Sequence, residues 1–438
     1  MIGKNNSNER ASLKVLISAY SCKPGEVSEP GVAWKQVEAL VLKSIYDITI
    51  ITRKKNVEPI RGALQALDCM SVEVVGVDLP TSLLFWKKGH LSMHIYYYIW
   101  QLQAYFVARK LDSKKNYDIA HHISFMTLRT NMVPFLRPKS IVGPVGGAQI
   151  PPPGYKKVLR HPIKEGLRTA SIFMMRISPI FRTFISKVDV LLLANQENLW
   201  VIPESYRDKC HIRQLGWNLQ ESETETEYSG SVEDSSEANV LKIYWGGRLI
   251  GWKGLELLLM SLKKVNDFGV LFQLDVSGKG PDEKHYHSLV KELGLDDKVM
   301  FHGWIENKKV LELQNSSDIY VFTSLHETTG TALFEMMAIG KPMIVVDYAG
   351  PGEIVSKGGA LRVSVGLGLD NSIEECARHI TALANNADMR ARLGEEAKEQ
   401  LRTIYSWDAY ISFIENLYEK LAFGLQDKNV TTKEYPDA

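Results

Sequence analysis

Two series of short apolar runs, separated by one strongly acidic stretch, constrain this chain more than anything else in it. The first series covers residues 13–19, 47–52, 72–77, 119–123, 140–145 and 188–194; the second covers 241–245, 271–276, 298–302, 319–322 and 343–346. Near-continuous apolar runs of this length suit strands buried on both faces. Helical segments separate most of them, so each series implies a doubly wound parallel sheet. Between the series, residues 221–237 carry seven acidic residues and no basic one, which marks a solvated linker or surface loop. The expected plan is α/β throughout. An N-terminal domain spans 11–220, a linker 221–239, a C-terminal domain 240–406, a last helix 407–421 and a loose polar tail 424–438. In such sheets ligands bind beyond the carboxyl ends of the strands, so two facing domains would bind between them.

A chain of 438 residues is too long for one core, which agrees with two domains. A net charge of +1 excludes a global pull towards nucleic acid, and any steering must come from local patches. Cys22, Cys69, Cys210 and Cys376 lie far apart in no metal or redox spacing, so free thiols in a reducing cytosol are expected. The polar start, MIGKNNSNER, has no apolar signal core, and no secretion is expected. Residues 91–107 form the one long apolar stretch. Its tyrosines, Trp100, His94 and glutamines suit a buried or interfacial helix better than a membrane span.

The chemistry concentrates in loops that follow strands. The stretch 323–342, TSLHETTGTALFEMMAIGKP, opens after the run at 319–322. It reads as a hydroxyl-rich turn and then a helix over 332–339, ended by Gly340 and Pro342. A polar loop feeding a helix N-terminus is a ready anion site. Glu327 and Glu335 bracket it, while Thr328, Thr329 and Thr331 are candidate helix caps and Gly330 allows close approach to the backbone. The second series also opens with Gly246-Gly247-Arg248-Leu249-Ile250-Gly251-Trp252-Lys253-Gly254. A guanidinium fork and a mobile ammonium in a glycine-rich loop suit a diphosphate; solvated surface cations are the plain alternative. Ser277-Gly278-Lys279-Gly280-Pro281 and His302-Gly303-Trp304-Ile305 follow two further strands, and none of these loops matches the phosphate-loop or dinucleotide fingerprints.

In this order and spacing the motifs resemble those of retaining GT-B glycosyltransferases of family 4. The resemblance covers 240–405 closely. It extends more loosely to SEPGVAW after the first strand, His121-His122, and Gly143-Pro144-Val145-Gly146-Gly147, which are similar to a bacterial subgroup. It implies two facing Rossmann-like domains, with a helix over 407–423 crossing back to the N-terminal domain. It also implies roles. Arg248 and Lys253 would neutralise the sugar-nucleotide diphosphate, and Glu327 would contact the donor sugar near the reacting carbon. Thr329, Gly330 and Thr331 would offer backbone N–H groups, and Glu335 would hold the ribose. Gly303, Trp304 and Ile305 would lie by the base, with Gly247 and Gly278 in the same donor loops. Gly31 would face the phosphate across the cleft, and His121 or His122 would stand near the reacting centre. Successive strand residues point to opposite faces, so at most one of these histidines faces the cleft, and a buried hydrogen-bonded ring is the alternative for either. Two departures stand out. Gly-Lys-Gly-Pro replaces the usual Gly-Asp-Gly-Pro. Glu327-Thr328-Thr329-Gly330 replaces Glu-Gly-Phe-Gly, which removes an aromatic beside the donor sugar.

The implied activity is metal-independent, retaining transfer of a hexose-type sugar from a nucleotide diphosphate sugar, with a UDP-sugar favoured over a GDP-sugar. No cofactor or metal is expected, because the cations fill the place a metal would take. Residues 156–187 hold Lys156, Lys157, Arg160, Lys164, Arg168, Arg176, Arg182 and Lys187 against the single acid Glu165. Ile163, Leu167, Ala170, Met174 and Ile177 repeat at helical spacing. Such a helix either lies on an anionic membrane or packs its apolar face on the core. The first case suits a lipid-linked or cell-surface glycan acceptor and a cytoplasmic protein held peripherally at the inner face of the plasma membrane. The competing functions are a non-catalytic sugar-nucleotide-binding scaffold and another GT-B enzyme, such as a sugar-nucleotide epimerase or a phosphorylase.

Overall fold

The computed structural model describes residues 12–26, 29–80, 89–217 and 240–424. The sequence expectations for the polar N-terminus, Ser28 of the SEPGV loop, the acidic linker and the tail beyond Gly424 lie outside the described residues. The first sheet consists of β1 (Leu13–Ala19), β2 (Tyr46–Thr52), β3 (Glu73–Gly76), β4 (Ile119–Ser124), β5 (Lys139–Val145), β6 (Val190–Leu193) and β7 (Cys210–Ile212). Its strands run parallel in the order β3-β2-β1-β4-β5-β6-β7. Helices α1 (Glu29–Leu42), α2 (Lys54–Ala66), α3 (Gly89–Lys115), α4 (Pro162–Ile177) and α5 (Pro179–Lys187) belong to the same half of the chain.

The second sheet consists of β8 (Leu241–Gly246), β9 (Phe272–Ser277), β10 (Val299–Gly303), β11 (Ile319–Phe322), β12 (Met343–Val346) and β13 (Ala360–Val363). It is also parallel, in the order β10-β9-β8-β11-β12-β13. Its helices are α6 (Leu255–Asp267), α7 (Glu283–Glu292), α8 (Asn307–Ser316), α9 (Thr331–Ala338), α10 (Ala349–Ile354), α11 (Leu369–Ala384) and α12 (Ala387–Thr403). Every strand expected from the apolar runs is present. Two edge strands, β7 and β13, have no such run: each has only three or four residues, and most of those are half-exposed.

The last helix, α13 (Trp407–Phe423), starts on a Ser406 cap whose Oγ accepts from the Ala409 N–H at 3.2 Å. It then leaves the second domain. Tyr410, Ile411, Ile414 and Tyr418 are buried in the core of the first sheet with Val15, Ile17 and Trp34. Gln36 Nε2 donates to Tyr410 Oη at 3.0 Å. A second crossing runs the other way. Tyr155, Val158 and Leu159 follow β5 but are buried in the core of the second sheet with Trp245, Leu255 and Ile373. Tyr155 Oη lies 2.5 Å from Ser372 Oγ, and His161 Nε2 lies 3.4 Å from Asp282 Oδ1.

Candidate active site

In the second sheet the strand order reverses between β8 and β11, so the loops that follow these two strands open side by side at the switch point. They are the two motif loops, 247–254 and 323–330. Their stacking is specific. Leu325 N donates to Trp252 O at 2.8 Å, and Thr323 Oγ1 donates to Lys253 O at 3.1 Å while accepting from Trp245 Nε1 at 3.1 Å. Gly254 makes the fit possible. It has φ +74°, and a Cβ there would stand 2.1 Å from Thr323 O.

This stacking brings Lys253 Nζ into contact with Glu327 Oε2. Ser324 Oγ donates to the same oxygen at 3.2 Å, and the ammonium also lies 4.8 Å from the centre of the Trp252 ring. Both charged groups are four-fifths covered. Arg248, from the same loop as Lys253, is exposed. Helix α9 begins at Thr331, its N-cap is Gly330 at φ +88°, and no side chain caps it. The threonines therefore do not serve as its caps, and its first turn faces the loop with its backbone donors uncovered by side chains. One turn further, Glu335 Oε2 accepts from Gln314 Nε2 at 3.3 Å. The loops after β9 and β10 close the same rim. Gly278 N donates to Gly303 O at 2.8 Å, Lys279 leans on Gly303, and Trp304 is 81 % exposed. Gly247 N donates to Ser277 O at 3.0 Å. Arg248, Lys253, Glu327, the 329–331 turn, Glu335 and the 303–305 turn thus line one rim of the second sheet.

The residues expected from the first domain sit differently. Gly31 is buried in the first turn of α1, packed on Glu26 O. His121 and His122 point to opposite sides of β4, and both are fully buried. His121 Nδ1 lies 2.9 Å from Tyr418 Oη and its Nε2 3.1 Å from Gly143 O. His122 Nδ1 lies 3.0 Å from Ser18 Oγ and its Nε2 3.3 Å from Tyr97 Oη. Burial holds the rings neutral, lowering the pKa of His121 to about 4 and that of His122 to about 3.

Three features carried no readable sequence signal or were passed over. Thr328 joins the domains: its Oγ1 accepts from Gln149 Nε2 at 2.7 Å, its carbonyl accepts from Asn195 Nδ2 at 2.7 Å, and its methyl rests on Gly146. His326, directly before Glu327, stands edge-on to Trp252 with a buried, unpartnered Nδ1. Burial first, then Arg168 and Lys253 nearby, lower its pKa to about 3. Glu353 lies in a cavity of about 350 Å³ between the domains with Glu197, Tyr348 and Arg362. One of its oxygens accepts from Gln196 N and the other is buried without a partner; desolvation raises its pKa to about 8. The clues in the sequence were the place of His326 beside Glu327 and the departure at Thr328 from the family pattern; neither records the contact across the domains.

Residues 235–400 match the family described as glycosyl transferases group 1. A glycosyltransferase from Rickettsia africae superposes with a TM-score of 0.61 at 16% identity, covering 95% of this chain and all of that one. The fold is GT-B. Anabaena HepE in complex with UDP-glucose superposes on this GT-B chain with a TM-score of 0.52 at 14% identity, over 92% of this chain and 99% of HepE. Among curated relatives, the lipopolysaccharide core biosynthesis glycosyltransferase LpsD of Rhizobium meliloti is 28% identical over 219 residues, which is 47% of this chain and 60% of LpsD. The chain spans about half the length of the curated relatives it matches.

Proposed function

We propose that this protein is a retaining, metal-independent glycosyltransferase. It would move a hexose-type sugar from a nucleotide diphosphate sugar to a lipid-linked or cell-surface glycan intermediate. The observation that carries this reading is the meeting of Lys253 and Glu327 at the switch point, with the α9 N-terminus four residues after Glu327 and the exposed Arg248 in the same loop as Lys253. In the absence of donor the Lys253 ammonium is held by Glu327. A diphosphate arriving there adds negative charge that Lys253, Arg248 and the helix N-terminus can take up. As the glycosidic bond breaks, charge grows on the leaving diphosphate, so these groups bind the transition state more tightly than the ground state. That supports a metal-free reaction. Glu327 then serves the sugar and Glu335 the ribose. The UDP-glucose complex of HepE supports a UDP-sugar donor, and the name of LpsD supports a surface glycan acceptor.

The membrane part of the proposal rests on α4. Its repeating apolar residues face outward: Ile163 is 79 % exposed, Leu167 68 % and Met174 62 %. A helix packed by its apolar face would show the reverse pattern. On α3, Ile95, Tyr98, Leu102 and Phe106 form a second exposed apolar row. No described helix is long and apolar enough to cross a membrane, so this surface fits contact in the plane of the interface. The four free thiols agree with a cytoplasmic setting.

A donor screen tests the function. UDP-, GDP- and ADP-sugars are incubated with the full chain and unfolding is followed; a true donor at a hundred times its Kd stabilises by about 2.7 kcal/mol. Nucleotide release is then measured with a lipid extract, with and without EDTA, and the anomeric configuration of the product is read by NMR. Absence of stabilisation by every donor would sink the proposal, as would full turnover in both Lys253→Ala and Glu327→Ala. Sedimentation with anionic vesicles at low and high salt tests the membrane contact.

A further inference from the structure

The first domain holds a cavity of about 780 Å³ at the carboxyl ends of β4 and β5. That volume is within the range of small-molecule sites. Tyr98, Arg129, Arg168, Met174, Ile180 and Phe181 line it. Its wall is mostly apolar, which suits a hydrocarbon better than a sugar, whose hydroxyls need partners.

Two cations break the apolar wall. Arg168 is engaged: its guanidinium donates to Glu165 Oε2 and to Gln149 O, each at 2.9 Å. Arg129 is not. Its Nε is buried without a hydrogen-bond partner, and it has no carboxylate partner among the described residues. A half-buried guanidinium beside a cavity, with no carboxylate partner among the described residues, suits an anion with two or more oxygens.

The cavity also has a direction. At one end Gly147 N donates to Gln149 Oε1 at 2.9 Å, and the same glutamine reaches Thr328, the neighbour of Glu327, at 2.7 Å. At the other end Met174 and Ile180, 62 % and 72 % exposed, continue onto the outward apolar face of α4 and α5. The lining therefore runs from an exposed apolar surface, past Arg129, to Gly147, which the buried Gln149 links to Thr328 beside the candidate sugar-binding carboxylate.

We propose that this cavity is the acceptor subsite and takes a phosphate-bearing lipid, with its phosphate on Arg129 and its chain running between Met174, Ile180 and Phe181 towards α4. The assignment deepens the glycosyltransferase reading and rests on it. The acceptor would be drawn from a membrane on which α4 and α5 lie, with its head group delivered beside Glu327.

Calorimetric titration of the full chain tests it, with three probes used below any micelle concentration: dodecyl phosphate, inorganic phosphate and dodecyl maltoside. Dodecyl phosphate is expected to bind at least about tenfold more tightly than either of the others. Arg129→Gln should weaken it by about 10- to 100-fold, the loss of a charge-assisted pair, while Arg129→Lys keeps most of the binding. Ile180→Glu, on an exposed position, should weaken dodecyl phosphate and leave UDP-sugar stabilisation unchanged. Equal affinity for inorganic phosphate would mean a plain phosphate site, and equal affinity for the maltoside an unselective apolar surface. Either result overturns the proposal, as does wild-type affinity in Arg129→Gln. UDP-sugar stabilisation, measured in parallel, separates the two readings. Donor binding without dodecyl phosphate binding refutes the subsite alone. Dodecyl phosphate binding without donor binding refutes the glycosyltransferase reading.

Discussion

Thr328→Val should loosen the closed arrangement of the two domains while leaving the fold of each intact. Valine keeps the shape and the methyl that rests on Gly146, but it removes the hydroxyl that accepts from Gln149 Nε2 at 2.7 Å. Gln149 is buried, so its amide loses an acceptor where water does not replace it. Leaving such a donor unsatisfied costs about 1–3 kcal/mol. That is a shift of roughly 5- to 150-fold towards the open state, at a tenfold change for each 1.4 kcal/mol. The carbonyl of residue 328 still accepts from Asn195 Nδ2 at 2.7 Å, so the lower half of that range is expected. If only the closed form assembles Glu327 against an acceptor and the open form predominates in the free protein, kcat/KM falls by about 5- to 15-fold, and Thr328→Ser, which keeps the hydroxyl, stays near wild type. Steady-state kinetics and small-angle scattering of both variants read the effect. A double-mutant cycle with Gln149→Leu isolates the pair and should show coupling of about 1 kcal/mol. Wild-type kcat/KM in Thr328→Val, or strict additivity in the cycle, would refute the reasoning.

Four further outcomes are expected. Glu335→Ala should raise the donor KM by about tenfold or more with little change in kcat, because a ribose contact is made equally in ground and transition states; a fall in kcat alone would exclude that role. The rate–pH profile should show no histidine inflection between about pH 5 and 8, since burial keeps His121, His122 and His326 neutral there; an inflection near 6.5 that vanishes in His122→Gln would contradict this. Glu353 has its folded pKa raised to about 8, so its protonated form stabilises the fold at low pH and that contribution is lost as pH rises through about 8. Thermal melts from pH 6 to 9 should fall, and Glu353→Gln should flatten the slope; an unchanged slope would refute the assignment. Tyr155→Ala should destabilise by about 3–5 kcal/mol, as large aromatic deletions in a core do, and a loss under about 1 kcal/mol would show that the crossing segment is only loosely seated.

Local order was readable in the sequence wherever it was repeated along the chain. The apolar runs marked the strands because strands buried on both faces leave an unbroken signature, and β7 and β13 escaped because short, half-exposed edges leave none. The loops at the switch point were visible because glycines, cations and carboxylates cluster just after strand runs. The links between the domains were not. Gln149, Asn195 and Thr328 meet across separations of 179 and 133 residues, and nothing local to any of them records the others. The helix at α4 shows a different limit. Its periodicity identified which residues share a face, and Ile163, Leu167 and Met174 do share one; periodicity says nothing about whether that face meets a core or open solvent.

The two crossings between the domains have a consequence for how the chain can be divided. Tyr155, Val158 and Leu159 leave the first half of the sequence to complete the interior of the second sheet, and α13 leaves the second half to complete the interior of the first. Each lobe therefore borrows part of its own interior from the other. A cut in the acidic stretch 221–237 would look clean on paper, yet it would produce two fragments, each with a hollow side that only the other could fill. The halves should thus be recovered by co-expression, as a reassembled pair, and not as two independent soluble lobes.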